Sequence, residues 1–430
     1  MPVLKRLYRQ ALLALVLAAV LLSGCSTNPV TGKRQLVMPI SEQISIGNQQ
    51  YGPSQQQQGG RYVVDPDLNV YVNQVGQNVA AASPVNLPFE FVVLNNDVPN
   101  AWALPGGKIA INRGLLVQLD DEAQLAAVLG HEAVHAAAQH SANQMTTQKI
   151  LGVGVLAATV AGVAGGDRDN ALLIGAGAAL GAKVYQAHYG RSQELEADYY
   201  GIDYMVAAGY DPQASVELQQ KFVEMSQGQQ SNFFSTLFAS HPPSQERVEK
   251  NRSKASKLPS GKRNRNAFQK AIAQIKKDQP AYEKHQLALK AASEEKLDDA
   301  LTLTNQAIKL QPKEALFFVT KGQILAGQNN DKGAEQAFAE ATRLNPDYFM
   351  GPLGLGISEV KLKNWNSART RLQQSAQLLP TSLAVYYLGE VEESTGNRQL
   401  AIQYYQQAAS SGGNVGEAAK QKLLRLQGGG

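Results

Sequence analysis

A 34-residue period runs through the C-terminal part of this 430-residue chain and narrows its folding choices more than any other feature. Ala300, Ala334 and Ala368 keep that spacing, as do Pro312, Pro346 and Pro380. Ala307 and Ala341 repeat likewise, with Ser375 at the third equivalent position. Gly322 and Gly356 follow the period, Gly389 falls one residue short, and Ala401, Tyr405 and Ala408 continue with that slip. A unit of this length is a pair of helices, with small residues where the two approach closely and proline ending the second. Such pairs bury their apolar faces only by stacking on one another. Three units match well and a fourth degenerates at its end. A closing helix from Val415 to Leu426 is predicted to cap the array.

The rest of the chain is long enough for one or two further domains. Hydrophobic content of 43% and charged content of 18% are those of a soluble globular protein. The net charge of +4 includes Lys5, Arg6 and Arg9; without them the balance is 37 basic against 36 acidic side chains, so nothing favours a nucleic-acid partner. Those three cations precede an apolar run from Ala11 to Leu22, the plan of a secretory signal peptide over residues 1–24. Cys25 follows it and is the sole cysteine, which excludes an internal disulfide.

Residues 25–60 read as a polar tether with one short helix near 41–50. A helix from Val63 to Ala82 is entered through Asp65-Pro66-Asp67. Strands are expected at Phe89 to Leu94 and Lys108 to Asn112, with a shorter one from Asn100 closed by the Pro105-Gly106-Gly107 turn. Residues 150–182 form an apolar, alanine- and glycine-rich pair of segments, each shorter than the ~20 residues needed to span a bilayer. They read as a helical hairpin lying on the protein or the membrane surface; a two-helix membrane insertion is the alternative. Residues 249–266 turn basic and polar, as a linker does.

The chemistry concentrates at His131-Glu132-Ala133-Val134-His135, behind an Asp121-Glu122-Ala123-Gln124 capping box. On a helix, positions i and i+4 share one face, so His131 and His135 can hold one metal ion while Glu132 serves as general base toward its water. An amphipathic helix with two surface histidines would give the same five letters. A catalytic zinc needs a third protein ligand and one open position. The extended zincin pattern places glycine and histidine three and six residues after the second histidine, where this chain has Ala138 and Ser141. His140, about 140° further round a continuous helix, points away and reads as a surface residue. A later helix carries Glu194 and Asp198 on one face. Glu194 can bind the metal and Asp198 can accept from the outer nitrogen of a ligand histidine. Glu196, about 200° from Glu194, faces away. His188 and His285 have no supporting context.

These motifs, His-Glu-x-x-His and Glu194-x-x-Ala197-Asp198, resemble the zinc endopeptidase family that includes the CAAX prenyl protease, HtpX and the periplasmic BepA- and LoiP-like proteases. The resemblance runs from roughly Asn100 to Arg247. It implies Glu194 as third zinc ligand, and a substrate backbone pairing along Asn100, Ala101 and Trp102. It also implies that His241, in Ser240-His241-Pro242-Pro243, gates the open zinc position. Arg247 then stabilises the carboxylate network or the oxyanion. Leu22-Ser23-Gly24-Cys25 resembles a bacterial lipobox, which implies lipidation of Cys25 and sorting to the outer membrane. The 34-residue period resembles tetratricopeptide repeats, which bind proteins.

The expected protein is mainly α. A gluzincin-type α+β metalloprotease domain with a small β-sheet occupies residues 61–248. An α-solenoid of tetratricopeptide repeats with a capping helix occupies 267–430. One Zn2+ per chain is held by His131, His135 and Glu194, with Glu132 as base. Protein substrates, and with them the outer-membrane assembly machinery, are the expected partners, at the periplasmic face of the outer membrane. An assembly chaperone acting through its repeats is the main alternative, and an anchored scaffold without metal a further one.

Overall fold

The computed structural model describes residues 25–148, 189–227 and 234–428. The signal peptide and the 150–182 hairpin expected above lie outside those residues. A two-stranded antiparallel ribbon opens the described chain, β1 (Cys25–Thr27) with β2 (Arg34–Leu36). α1 (Ile40–Gln57) follows and is far longer than the short helix expected in a tether. Its Gln43, Gly47 and Tyr51 are buried, and the Tyr51 hydroxyl donates to the Ile109 carbonyl at 2.9 Å. This helix is therefore part of the packed body. Its many glutamines hid that from a reading of polarity alone.

α2 (Pro66–Ala80) begins with proline in its first turn, where the missing N–H costs no helical bond. A three-stranded sheet follows, of β3 (Glu90–Leu94), β4 (Ala101–Leu104) and β5 (Lys108–Asn112) in the order β3-β5-β4. β5 is parallel to β3 and antiparallel to β4, so β4 is an edge strand. All five residues of β5 are buried, as befits a central strand of mostly β-branched and small residues. Gly106 and Gly107 make the β4–β5 turn at φ of 78° and 88°. A side chain on Gly106 would run into the Ile44 backbone of α1, so only glycine fits there.

After the single turn α3 (Arg113–Leu116) comes α4 (Glu122–Ala137), which carries the two histidines and is buried at every residue. Asp121 caps it, accepting from the Gln124 N–H at 3.0 Å. The Gln124 side chain bonds back to the Asp120 N–H, one residue short of a reciprocal box. α5 (Arg191–Ala207) crosses α4 at Gly130 and Gly201. A Cβ on Gly201 would lie 3.0 Å from the His131 nitrogen, and one on Gly130 would lie 3.0 Å from the Gly201 carbonyl oxygen. Two facing glycines bring the backbones that close. α6 (Gln213–Gln227), α7 (Ser235–Ser240) and α8 (Gln245–Ala255) complete this half, and α8 runs into the segment read as a basic linker.

Short helices α9 (Arg265–Ala271) and α10 (Ala273–Lys277) lead to four stacked helix pairs. The pairs are α11 (Gln279–Ser293) with α12 (Leu297–Leu310), and α13 (Ala315–Gly327) with α14 (Asp331–Leu344). α15 (Met350–Lys361) with α16 (Trp365–Leu378), and α17 (Ser382–Ser394) with α18 (Arg398–Ala409), follow, and α19 (Gly413–Gly428) ends the stack. The periodic residues mark the helix crossings. Ala300, Ala334, Ala368 and Ala401 are fully buried. Gly322, Gly356 and Gly389 lie against the side chains of Phe338, Leu372 and Tyr405 respectively. The one-residue slip at Gly389 is thus matched by an equal slip of the large residue facing it.

The array is docked on the sheet half. Glu314 accepts from Asn95 Nδ2 at 2.8 Å and from the Tyr282 hydroxyl at 2.6 Å, while Arg113 stacks 3.3 Å over the Tyr282 ring and donates to Asn95. The Gln56 side chain of α1 bonds the backbone of Asp347 and Phe349. One hydrophobic core runs from Val79 and Leu125 to Tyr282 and Phe317. His285 sits beside this seam as a satisfied core histidine, 2.8 Å from the Thr320 hydroxyl.

Two outcomes follow. Gly201→Val overpacks the α4–α5 crossing and lowers stability by about 1–3 kcal/mol, read as a drop in thermal midpoint, with Gly201→Ala in between. An unchanged midpoint for the valine variant would show that the helices do not depend on this approach. Burial, with Arg113 adding to it, holds His285 down to about 4 from 6.5. The folded state keeps it neutral while the unfolded chain protonates below 6.5. Its contribution is therefore present above that pH and is lost as pH falls toward 4, by roughly 3 kcal/mol at most. Urea midpoints from pH 7 to 4 should fall less steeply for His285→Gln than for wild type.

Candidate metal centre

Close crossing of α4 and α5 sets the side chains of His131, His135 and Glu194 face to face. His131 Nε2 and His135 Nε2 are 2.9 Å apart, and Glu194 oxygens lie 3.5 and 3.3 Å from them. His241, just past α7, adds a fourth donor. Its Nδ1 is 3.1 Å from Glu194 and 3.3 Å from His131 Nε2. Donor atoms of these four residues all lie within 4.8 Å of one another. Ligands about 2.0–2.1 Å from a tetrahedral zinc stand about 3.3 Å from one another, the separation seen here.

Charge supports the same fit. Glu132, Glu194 and Asp198 are all buried around one buried guanidinium, that of Arg247. Three carboxylates against one guanidinium leave a surplus of negative charge, which either protonated imidazoles or a divalent cation in their place would offset. Two imidazole nitrogens facing each other across 2.9 Å must share either a proton or a metal ion. Glu132 Oε2 is buried with no hydrogen-bond partner, and Oε1 is 3.5 Å from His241 Nε2. Burial raises the Glu132 carboxyl above its ordinary range. Burial works the same way on Glu194 but is outweighed by His241, His131 and Arg247, which hold it well below.

Behind the donors stands a layer that orients them. Asp198 lies 2.9 Å from His131 Nδ1 and takes two bonds from Arg247, at 2.6 and 2.7 Å. Arg247 Nη1 also lies 2.7 Å from Glu194. The arginine thus faces the carboxylates, and Ser244 caps the helix that delivers it. Ala101 of edge strand β4 lines the same cavity as His131 and Glu132, together with Val128, Met205 and Leu218. Asn100 passes its carbonyl to Asn112 of β5, and the Trp102 indole donates to Gln58. Ladder alternation therefore turns Ala101 and Ala103 outward, and the Ala103 carbonyl accepts from Ser141.

Two sequence expectations fail here for one reason. α4 stops at Ala137, Gln139 adopts a left-handed φ of 63°, and residues 140–148 are helical again. A helical wheel continued past Ala138 no longer applies. His140 is consequently buried, with Nδ1 2.8 Å from His135 Nδ1, and is no surface residue. Glu196 does not face away either, since its Oε1 is 3.1 Å from His140 Nε2. Tyr189 carries no motif that marks it in the sequence, yet its ring stacks on His135 at 3.6 Å. No residue type signals the break, because the left-handed position is glutamine where glycine would have announced it.

Comparison with known proteins adds the family. Residues 66–255 match peptidase family M48, and residues 285–349 and 353–425 match tetratricopeptide repeats. A beta-barrel assembly-enhancing protease of Yersinia pestis is 32% identical over 44% of this chain and 39% of its own length. Its Escherichia coli namesake is 29% identical over 51% of this chain and 45% of its own. The mitochondrial metalloendopeptidase OMA1 of Schizosaccharomyces pombe is 34% identical over 42% of this chain and 51% of its own. The chain thus spans about half the length of these relatives, or less. With a histidine–glutamate donor cluster inside the matched segment and the helix pairs after it, this chain carries a peptidase family M48 segment at residues 66–255 followed by C-terminal tetratricopeptide repeats.

Proposed function

We propose that the protein is a zinc-dependent endopeptidase of the bacterial envelope. Residues 61–248 act as the protease domain, and the repeats of 267–430 select protein substrates. One observation carries the reading: two histidine Nε2 atoms and a glutamate converge beside Glu132, a buried carboxylate with an unpartnered oxygen. His131, His135 and Glu194 would hold the ion. Zinc supplies Lewis acidity there when bound, polarising a peptide carbonyl and making water a nucleophile at neutral pH. Glu132 takes the proton of the attacking water and delivers it to the departing amine. Its raised pKa suits a group that must accept and return a proton. A substrate backbone pairs with the outward groups of Ala101 on β4, next to Asn100 and Trp102, so recognition reads main chain more than side chains.

His241, the fourth donor of the cluster, would take the position that water and substrate need. With its imidazole as fourth donor the site would rest closed, and the stretch after α7 would have to withdraw it before catalysis. Arg247 keeps Asp198 and Glu194 ionised and in place meanwhile. Among the described residues no helix is long and apolar enough to cross a membrane. Attachment through a lipidated Cys25 at the periplasmic face of the outer membrane fits the lipobox. Clients drawn from β-barrel assembly fit the names of the bacterial relatives. The closed position of His241 also favours a second reading, an assembly chaperone working through the repeats.

Glu132→Gln is expected to lower peptide hydrolysis at least ~100-fold while leaving about one zinc per chain, by a fluorogenic peptide assay and metal analysis. Cleavage at the wild-type rate would sink the mechanism, and rescue of a deletion strain by this variant would select the chaperone. His241→Ala should raise peptidase activity. A loss of activity with zinc retained would make His241 a catalytic group instead of a gate.

A further inference from the structure

We infer that His140 and Glu196 form a second orienting relay, which presents His135 to the metal as Asp198 and Arg247 present His131. The inference rests on the metal reading proposed above. His135 Nε2 faces His131 and Glu194, so binding a cation requires its lone pair on Nε2 and its proton on Nδ1. The group 2.8 Å from that Nδ1 is His140 Nδ1. Two nitrogens this close share one proton, so His140 Nδ1 is the acceptor and its own proton sits on Nε2. That nitrogen is 3.1 Å from Glu196 Oε1, an acceptor only. A single tautomer assignment satisfies every contact, and the carboxylate fixes it from two rings away.

The setting is built to hold that assignment. His135 has no exposed surface, His140 is 4% exposed, and the Glu196 side chain is 15% exposed. Tyr189 stacks on His135, and its hydroxyl lies 2.8 Å from that of Ser141, next to His140. Lys33, on the link between β1 and β2, lies 3.5 Å from Glu196 at the rim. α5 therefore uses alternate residues. Glu194 meets the metal position, Asp198 backs one histidine, and Glu196 backs the other through His140. The left-handed Gln139 turns His140 inward and makes the second relay possible.

The test measures zinc affinity of the metal-depleted full chain against a chromophoric chelator. His140→Ala and Glu196→Ala should each weaken zinc about 10–100-fold, as Asp198→Ala should. The double variant should be no weaker than His140→Ala alone, because Glu196 acts only through that ring. His140→Asn, which restores an acceptor near the Nδ1 position, should recover most of the loss. Thermal midpoints of the metal-free proteins separate these effects from unfolding, and Glu196→Ala decides the matter if His140→Ala does not fold. Affinities within about 2-fold of wild type, or additive losses in the double variant, overturn the relay alone. A wild type that takes up no zinc overturns the metal reading and the relay with it.

Discussion

The glycine-to-glycine crossing of α4 and α5 is the constraint on which the rest of the site depends. His131 follows Gly130 directly, and Gly201 ends the stretch that carries Glu194, Glu196 and Asp198. Backbone approach at that point brings a short carboxylate side chain from one helix within reach of imidazoles from the other. A Cβ at either glycine would lie 3.0 Å from the facing backbone, so a larger side chain would press the two helices apart. The architecture around the crossing serves to keep it. α2 and the sheet pack on α4, which is buried along its whole length.

Burying a helix that bears ionisable groups is costly unless each has a partner. Here the partners come in layers. A carboxylate and a guanidinium stand behind His131, a histidine and a carboxylate behind His135, and two tyrosines and an asparagine hold Glu122 at the start of α4. One oxygen of Glu132 is left out of this scheme. A buried carboxylate oxygen without a partner is expensive, so stability alone does not explain the residue.

Helix pairs of the C-terminal half are not an appendage on a flexible tail. Asn95, Arg113 and Asp97 of the sheet half meet Glu314, Tyr282 and Gln286 of the array, and the hydrophobic core is continuous across the seam. α1 reaches the array from the other end through Gln56. The array therefore stands at a set distance and angle from the histidine–glutamate cluster.

Local rules were enough for much of this. The 34-residue period states the helix pairs, their close crossings and their proline stops, because each rests on contacts between neighbouring segments. His131, Glu132 and His135 on one helix, and Glu194 and Asp198 on one face of another, follow from 3.6 residues per turn. What the chain alone could not state is how those helices end and meet. The break at Gln139 has no glycine to announce it, so His140 and Glu196 looked like surface residues until the fold turned them inward. Burial of the glutamine-rich α1, docking of the repeats and the seat of His241 among the donors likewise depend on segments dozens to hundreds of residues apart. Periodicity records which faces a segment owns; only the packed tertiary structure decides which of them meet, because that choice is made by the whole core at once.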